Sequence, residues 1–212
     1  MSILNEISEY IQRGRAVEVE TSVSKALSEG IPAQQILSDG LLDGMNIIGE
    51  KFKNNEVFVP EVLIAARAMN KGIAVLKPYL AAEGVKEKGV AVIGTVKGDL
   101  HDIGKNLVKM MMEGRGIKVV DIGVDVPAQK FIDVAEENNA QLICCSALLT
   151  TTMNEMKNVV DAVNASALKG KVKVMVGGAP VSQSFADSIG ADCYTSDAAS
   201  AADAAAAMLA FA

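Results

Sequence analysis

The sequence predicts an α/β chain in two parts, a helical bundle followed by an open parallel sheet. Three observations predict it. Residues 1 to about 82 carry apolar side chains at helical spacing and almost nothing strand-like. From Gly89 onward, short β-branched runs alternate five times with helical stretches. Between the two, Ala82-Glu83-Gly84-Val85-Lys86-Glu87-Lys88-Gly89 is polar and glycine-flanked, as a linker is. The expected domains are therefore 1–88 and 89–212.

The first helix is set by Ile3, Ile7 and Ile11, which fall on one face at a spacing of four. A second spans Ala16 to Ser28 and stops at Gly30-Ile31-Pro32. The third carries Ile36, Leu37, Leu41, Met45, Ile48 and Phe52. In the fourth, Val62, Ala66, Met69, Ile73, Leu76 and Leu80 alternate steps of four and three, the seam of a bundle. Pro60 suits its first turn, where a missing N–H is no loss. This half reads as a four-helix bundle.

In the second half, strands are expected at Val90–Thr95, Lys118–Ile122, Leu142–Ser146, Val172–Val176 and, weakly, Cys193–Thr195. Helices are expected at Ile103–Glu113, Ala128–Asn138, Met153–Val163, Ser182–Ile189 and Ala198–Leu209. Five strand–helix units imply a parallel sheet covered on both faces, and they fit the flavodoxin-like (Rossmann-type) strand order 2-1-3-4-5. The alanine-rich tail reads as the last helix, with Ala202, Ala206, Leu209 and Ala210 as its apolar face.

Half of the 212 residues are hydrophobic, enough for a real core, and no apolar run reaches membrane-spanning length. The N-terminus shows no basic region followed by an apolar stretch, so no secretion signal is expected. A net charge of −6 without a basic cluster argues against nucleic acid as a partner. Cys144, Cys145 and Cys193 match neither a zinc nor a redox spacing and read as reduced thiols of a cytoplasmic protein.

Chemistry concentrates at one edge. In such a sheet, ligands bind beyond the carboxyl ends of the strands. After the first strand comes Asp99-x-His101-x-x-Gly104, and His101 is the only histidine in the chain. After the third come Ser146-Ala147-Leu148 and Leu149-Thr150-Thr151-Thr152; after the fourth, Gly177-Gly178. Each has a plainer reading: Ser146 and Thr152 as helix N-caps, Asp99 as a turn residue, the glycines as an ordinary turn. An Asp two positions before a His can, however, accept its Nδ1–H and leave Nε2 free for a metal. One imidazole cannot hold a bare zinc ion. It suffices where the metal arrives enclosed in a macrocycle, and glycines at 104, 177 and 178 would clear backbone space for a bulky appendage.

Asp99-x-His101-x-x-Gly104, with 41 residues to Ser146-x-Leu148 and 28 more to Gly177-Gly178, resembles the signature of cobalamin-binding domains over residues 89–212. Asp43-Gly44-Met45, Phe52 and Val57-Phe58-Val59-Pro60-Glu61-Val62 are similar to the helical cap of methionine synthase and of corrinoid methyl carriers. The resemblance implies His101 as the lower axial ligand of cobalt, displacing the cofactor's dimethylbenzimidazole. It makes Asp99 and Thr152 the relay behind it, Thr152 standing where the family more familiarly shows serine. Asp102, Ile103, Gly104, Ser146, Leu148, Thr150, Gly177 and Gly178 would complete the corrinoid site, with Phe52, Val59 and Val62 covering the upper face of the corrin.

The resemblance also implies methyl carriage, by a subunit of a methyltransferase system rather than a complete enzyme. Cobalt(I) would take a methyl group from a substrate-specific methyltransferase, with a methylamine, methanol or methoxylated aromatic as donor. Methylcobalt(III) would pass it to a corrinoid:acceptor methyltransferase that uses tetrahydrofolate or a thiol. A reductive activation protein would restore lost cobalt(I), and residues 84–89 would serve as a hinge. The main alternative is a cobalamin-dependent sensor or regulatory module, though the photosensors' DNA-binding region and cap tryptophan are absent. An adenosylcobalamin mutase domain and a response-regulator-like module are further alternatives. The latter should end its first strand in a carboxylate, where this chain has Thr95 or Val96.

Overall fold

The structure, a computed structural model, describes residues 2–83 and 87–210. Gly84, Val85 and Lys86, within the expected linker and hinge, lie outside the described residues. The chain divides into two compact units, Met1–Lys86 with Gly114–Gly116, and Glu87–Glu113 with Ile117–Ala212.

The helical unit contains α1 (Ile3–Gln12), α2 (Ala16–Ser28), α3 (Ala33–Ile36), α4 (Asp43–Lys53) and α5 (Val59–Ala82). Ile7, Ile11, Val19, Val23, Met69 and Leu76 are fully buried, so the sequence periodicity marks the faces that meet. The expected third helix differs in one respect: α3 runs into α4 through a π-helical stretch, Leu37–Leu42. Ile36 and Leu41 are both fully buried although five residues apart. An α-helix would turn two such residues to different faces, and the wider turn brings them to one. At the start of α5 the Phe58 N–H donates to Glu61 Oε2 at 3.0 Å, and Pro60 follows in the first turn.

The second unit is a five-stranded sheet, β1 (Val90–Thr95), β2 (Lys118–Asp121), β3 (Leu142–Ser146), β4 (Lys173–Gly177) and β5 (Cys193–Tyr194). All pairings are parallel, and the order is β2-β1-β3-β4-β5, as the five strand–helix units predict. Helices α6 (Ile103–Glu113), α7 (Ala128–Glu137), α8 (Asn154–Ala165), α9 (Gln183–Ile189) and α10 (Ala198–Leu209) cover it. On one face Val92, Ile143, Cys145, Val174 and Val176 pack with Phe131 and Ile132 of α7 and Met156 and Val160 of α8. On the other, α6 and α10 pack together. The buried residues of α10 are Ala198, Ala199, Ala201, Ala202, Ala205 and Leu209. Of the expected face, Ala202 and Leu209 are buried, Ala206 is only half-buried and Ala210 exposed.

Cys144 and Cys145 are both buried at adjacent positions of β3, so they face opposite sides of the sheet. Burial pushes the Cys144 thiol up to about 12, with nearby Cys193 adding to it, and raises Cys145 as well. They serve as small apolar side chains. No helix among the described residues is long and apolar enough to cross a membrane.

Candidate functional site

Parallel register sets the site. Thr95 of β1 pairs with Ser146 of β3, and Ser146 with Gly177 of β4, so one row across three strands marks where the loops begin. The loops after β1 and β3 then meet at one carboxylate.

Asp99 is fully buried and accepts five hydrogen bonds. Its Oδ1 takes the backbone N–H of His101 at 3.1 Å and lies 2.7 Å from the ring Nδ1. Its Oδ2 takes the N–H of Leu148 at 2.8 Å, the N–H of Leu149 at 3.1 Å and the hydroxyl of Thr152 at 2.9 Å. Burial alone would raise the proton affinity of this carboxyl. The bonds from the His101 ring and from the Leu148, His101 and Leu149 N–H groups outweigh it and hold the group well below the usual carboxylate range. Asp99 is therefore an ionised acceptor, Nδ1 carries the proton, and the Nε2 lone pair remains for a ligand. The imidazole is 51% exposed.

The other expected residues are placed as follows. Thr152 is buried, and besides its bond to Asp99 it lies 2.9 Å from the Leu149 carbonyl; the helix cap expected as its plainer reading falls instead to Met153, without a side-chain bond. Asp102 accepts from the Asn106 side chain at 3.1 Å and from the Asn106 N–H at 2.8 Å, tying the start of α6. Ile103, Leu148 and Thr150 are exposed, and Ser146 and Gly177 are half-buried. A Cβ on Gly104 would meet nothing within 4 Å, so space stands open there. Gly178 has a different reason. At φ +133 its Cβ would lie 1.9 Å from the Ala147 carbonyl oxygen, so the approach of the chain leaving β3 alone demands glycine. Phe52 and Val59, in the helical unit, are half-buried, and Val62 is fully buried there.

Two features escaped the sequence. Beside the expected Ile103 and Leu148, three further apolar residues, Leu100, Leu149 and Val124, are exposed. All five sit in, or directly after, the loops that leave the adjacent strands β2, β1 and β3. The sequence placed the loops after β1 and β3 at one edge but did not single out these three side chains or the loop after β2. The loop after β2 was also passed over; its Asp125 accepts from the Gly98 N–H at 2.7 Å.

Among the described residues no group of three or more His, Cys, Asp or Glu side chains could hold a metal ion. A single half-exposed imidazole, oriented through a buried carboxylate and set among exposed apolar side chains beside open space, suits a metal carried inside a large organic ring. The fold is thus an open α/β domain with one half-exposed imidazole, backed by a buried carboxylate, at the carboxyl edge of its sheet.

The chain belongs to the B12-binding family: residues 89–207 match the model described as B12 binding domain, and residues 3–77 match a second model so described. It is 46% identical over 198 residues to the dimethylamine corrinoid protein of Methanosarcina barkeri, covering 92% of each chain. Among solved structures it is similar to the methanol:cobalamin methyltransferase complex MtaBC from Methanosarcina barkeri. There the TM-score is 0.88 at 30% identity, with 99% of this chain and 80% of the other covered. A cobalamin-binding protein from Desulfitobacterium hafniense DCB-2 gives a TM-score of 0.80 at 29% identity, covering 97% and 98%.

Proposed function

We propose that this protein is a corrinoid methyl carrier that holds cobalamin or a related corrinoid with His101 as the lower axial ligand to cobalt. The observation that carries the proposal is the hydrogen-bonded triplet Thr152–Asp99–His101, with its five donors on one buried carboxylate. When bound, the corrinoid supplies the cobalt centre on which a methyl group is accepted and released. The chain's own residues do the rest. Asp99 fixes the tautomer and aims the ring, and Thr152 and the Leu148 and Leu149 N–H groups fix Asp99. Gly104, Ser146, Leu148, Thr150, Gly177 and Gly178, with Asp102 and Ile103, would line the rest of the site. Phe52, Val59 and Val62 would shield the reactive face from water and oxidants.

The partners would be a substrate-specific methyltransferase, an acceptor methyltransferase and a reductive activation protein, all in the cytoplasm. The identity to a dimethylamine corrinoid protein supports a methylated amine as donor. The test is to titrate apoprotein with hydroxocobalamin and compare His101→Ala. The wild type should bind with the spectrum of a histidine-ligated corrinoid, and the variant should bind more weakly and lose that spectrum. Equal affinity and an identical spectrum would overturn the assignment.

A further inference from the structure

The turn that carries His101 is gripped by two residues outside the triplet. Thr95, the last residue of β1, is fully buried, and its hydroxyl donates to the backbone carbonyl of His101 at 2.8 Å. Thr95 is itself tied to the loop after β2 on both sides: its N–H donates to the Gly123 carbonyl at 3.0 Å, and its carbonyl accepts from the Val126 N–H at 3.0 Å. From that same loop Asp125 holds the near end of the turn. Its Oδ1 accepts from the Gly98 N–H at 2.7 Å, and its N–H donates to the Asp99 carbonyl at 2.9 Å.

Gly98, at φ +80, takes a conformation that glycine alone holds without steric cost, and Asp125, which grips it from the β2–α7 loop, sits at φ +53, which aspartate tolerates better than most residues. The donors on the Asp99 carboxylate fix that side chain and the imidazole, but they reach neither the Gly98 N–H nor the His101 carbonyl. Thr95 and Asp125 bond those two groups.

We propose that Thr95 and Asp125 are positioning residues for metal ligation, locking the Gly98–His101 turn so that Nε2 is already presented when a corrinoid arrives. The proposal rests on the reading of His101 as the axial ligand. Its physical basis is preorganisation: a turn that visits the ligating geometry only part of the time weakens apparent affinity by that fraction. The β2–α7 loop carries none of the recognised motif positions, so this assigns a task to a segment outside the motif.

The test uses the full chain grown with 15N-histidine, which labels one residue because His101 is the sole histidine. The probe is cobinamide, a corrinoid without a nucleotide base, reduced to cobalt(II); nitrogen coupling in its paramagnetic resonance spectrum then comes from the protein. The wild type should show the 15N doublet. Thr95→Val, which keeps shape and removes the hydroxyl, should raise the cobinamide Kd about fivefold, the worth of one ordinary hydrogen bond. Asp125→Gly, which keeps the left-handed backbone and removes the carboxylate, should do the same, and Thr95→Ser should restore wild-type affinity. A wild type without histidine coupling would overturn both this proposal and the ligand assignment. Histidine coupling in the wild type, with Kd unchanged in both variants, would overturn the positioning role alone. So would a lowered melting temperature with unchanged Kd, since that marks a merely structural role.

Discussion

Two carboxylates near the same edge of the sheet each hold a nitrogen side chain, and the two pairs are built in opposite senses. In the pair Asp99–His101 the carboxylate is 0% exposed and the imidazole 51%. In the pair Asp121–Lys105 the amine is 3% exposed and the carboxylate 20%. Lys105 spends its Nζ on Asp121 at 2.6 Å and on Asn106 at 2.8 Å, while Asp121 also accepts from the Gly123 N–H at 3.0 Å and lies 3.5 Å from Lys109. Burial pushes both carboxyls up, and in both the bonds they accept win, so each is held below its ordinary range. The difference is where an unspent atom remains. The lysine pair turns its charge inward and consumes it; the histidine pair buries the anchor and leaves Nε2 outside. A buried pair at a ligand edge makes a site only where, as with His101, the nitrogen partner keeps an unspent atom outside.

Breaking each pair should separate the two roles. Asp99→Ala strands the N–H groups of His101, Leu148 and Leu149 and should cost about 3–5 kcal/mol in urea unfolding of the apoprotein, with loss of histidine ligation. Lys105→Met removes a buried amine but fills its volume, and should cost about 2–3 kcal/mol through the anion left behind. Its folded fraction should still bind corrinoid with wild-type affinity and spectrum. Loss of histidine ligation in Lys105→Met would erase the distinction drawn between the pairs.

Acid should expose the pairs' common feature. A carboxyl whose proton affinity is depressed by folding contributes stability above its unfolded value, and that stability drains away as pH falls toward the folded value. Asp99 and Asp121 are both depressed, so the apoprotein should be destabilised progressively below about pH 4, where unfolded carboxyls begin to take protons. Urea midpoints measured from pH 6 to pH 3 should fall on that limb, and Asp99→Asn should flatten it. An unchanged slope in Asp99→Asn would show that Asp99 gains nothing from ionisation in the fold.

The sheet was legible because β1, β3, α6 and α10 rest on runs whose period names the element. Asp99 and His101 were legible because the only histidine follows an aspartate at a spacing that permits a ring-to-carboxylate bond. Thr152, some fifty residues further on, has no local mark of its role; only the resemblance pointed to it, and the plainer helix-cap reading was physically as good. Thr95 and Asp125 were hidden for the same reason, since a threonine ending a strand and an aspartate in a turn are commonplace. The π turn was hidden because one extra residue in a helical run mimics a slightly irregular period. What stayed dark was long-range partnership, which only the register of neighbouring strands creates.

Gly178 and Gly104 carry the same expectation from sequence and part company in the structure. Gly178 is fixed by the Ala147 carbonyl, so its replacement would report on folding, not on a ligand. Gly104 is the informative one, because a Cβ there touches nothing and the second residue of α6 gains from alanine's lower backbone entropy. Gly104→Ala should therefore stabilise the apoprotein by about 0.5 kcal/mol, a rise of roughly 1–2 °C in Tm. If the open space belongs to the corrinoid, the same methyl group must meet it, and affinity should fall while Tm rises. Opposite signs in the two measurements would mark the glycine as kept for a ligand at the expense of its helix. A gain in Tm with unchanged corrinoid affinity would place the bound group away from the N-terminus of α6, and leave His101 as the motif's only contact on that helix's approach.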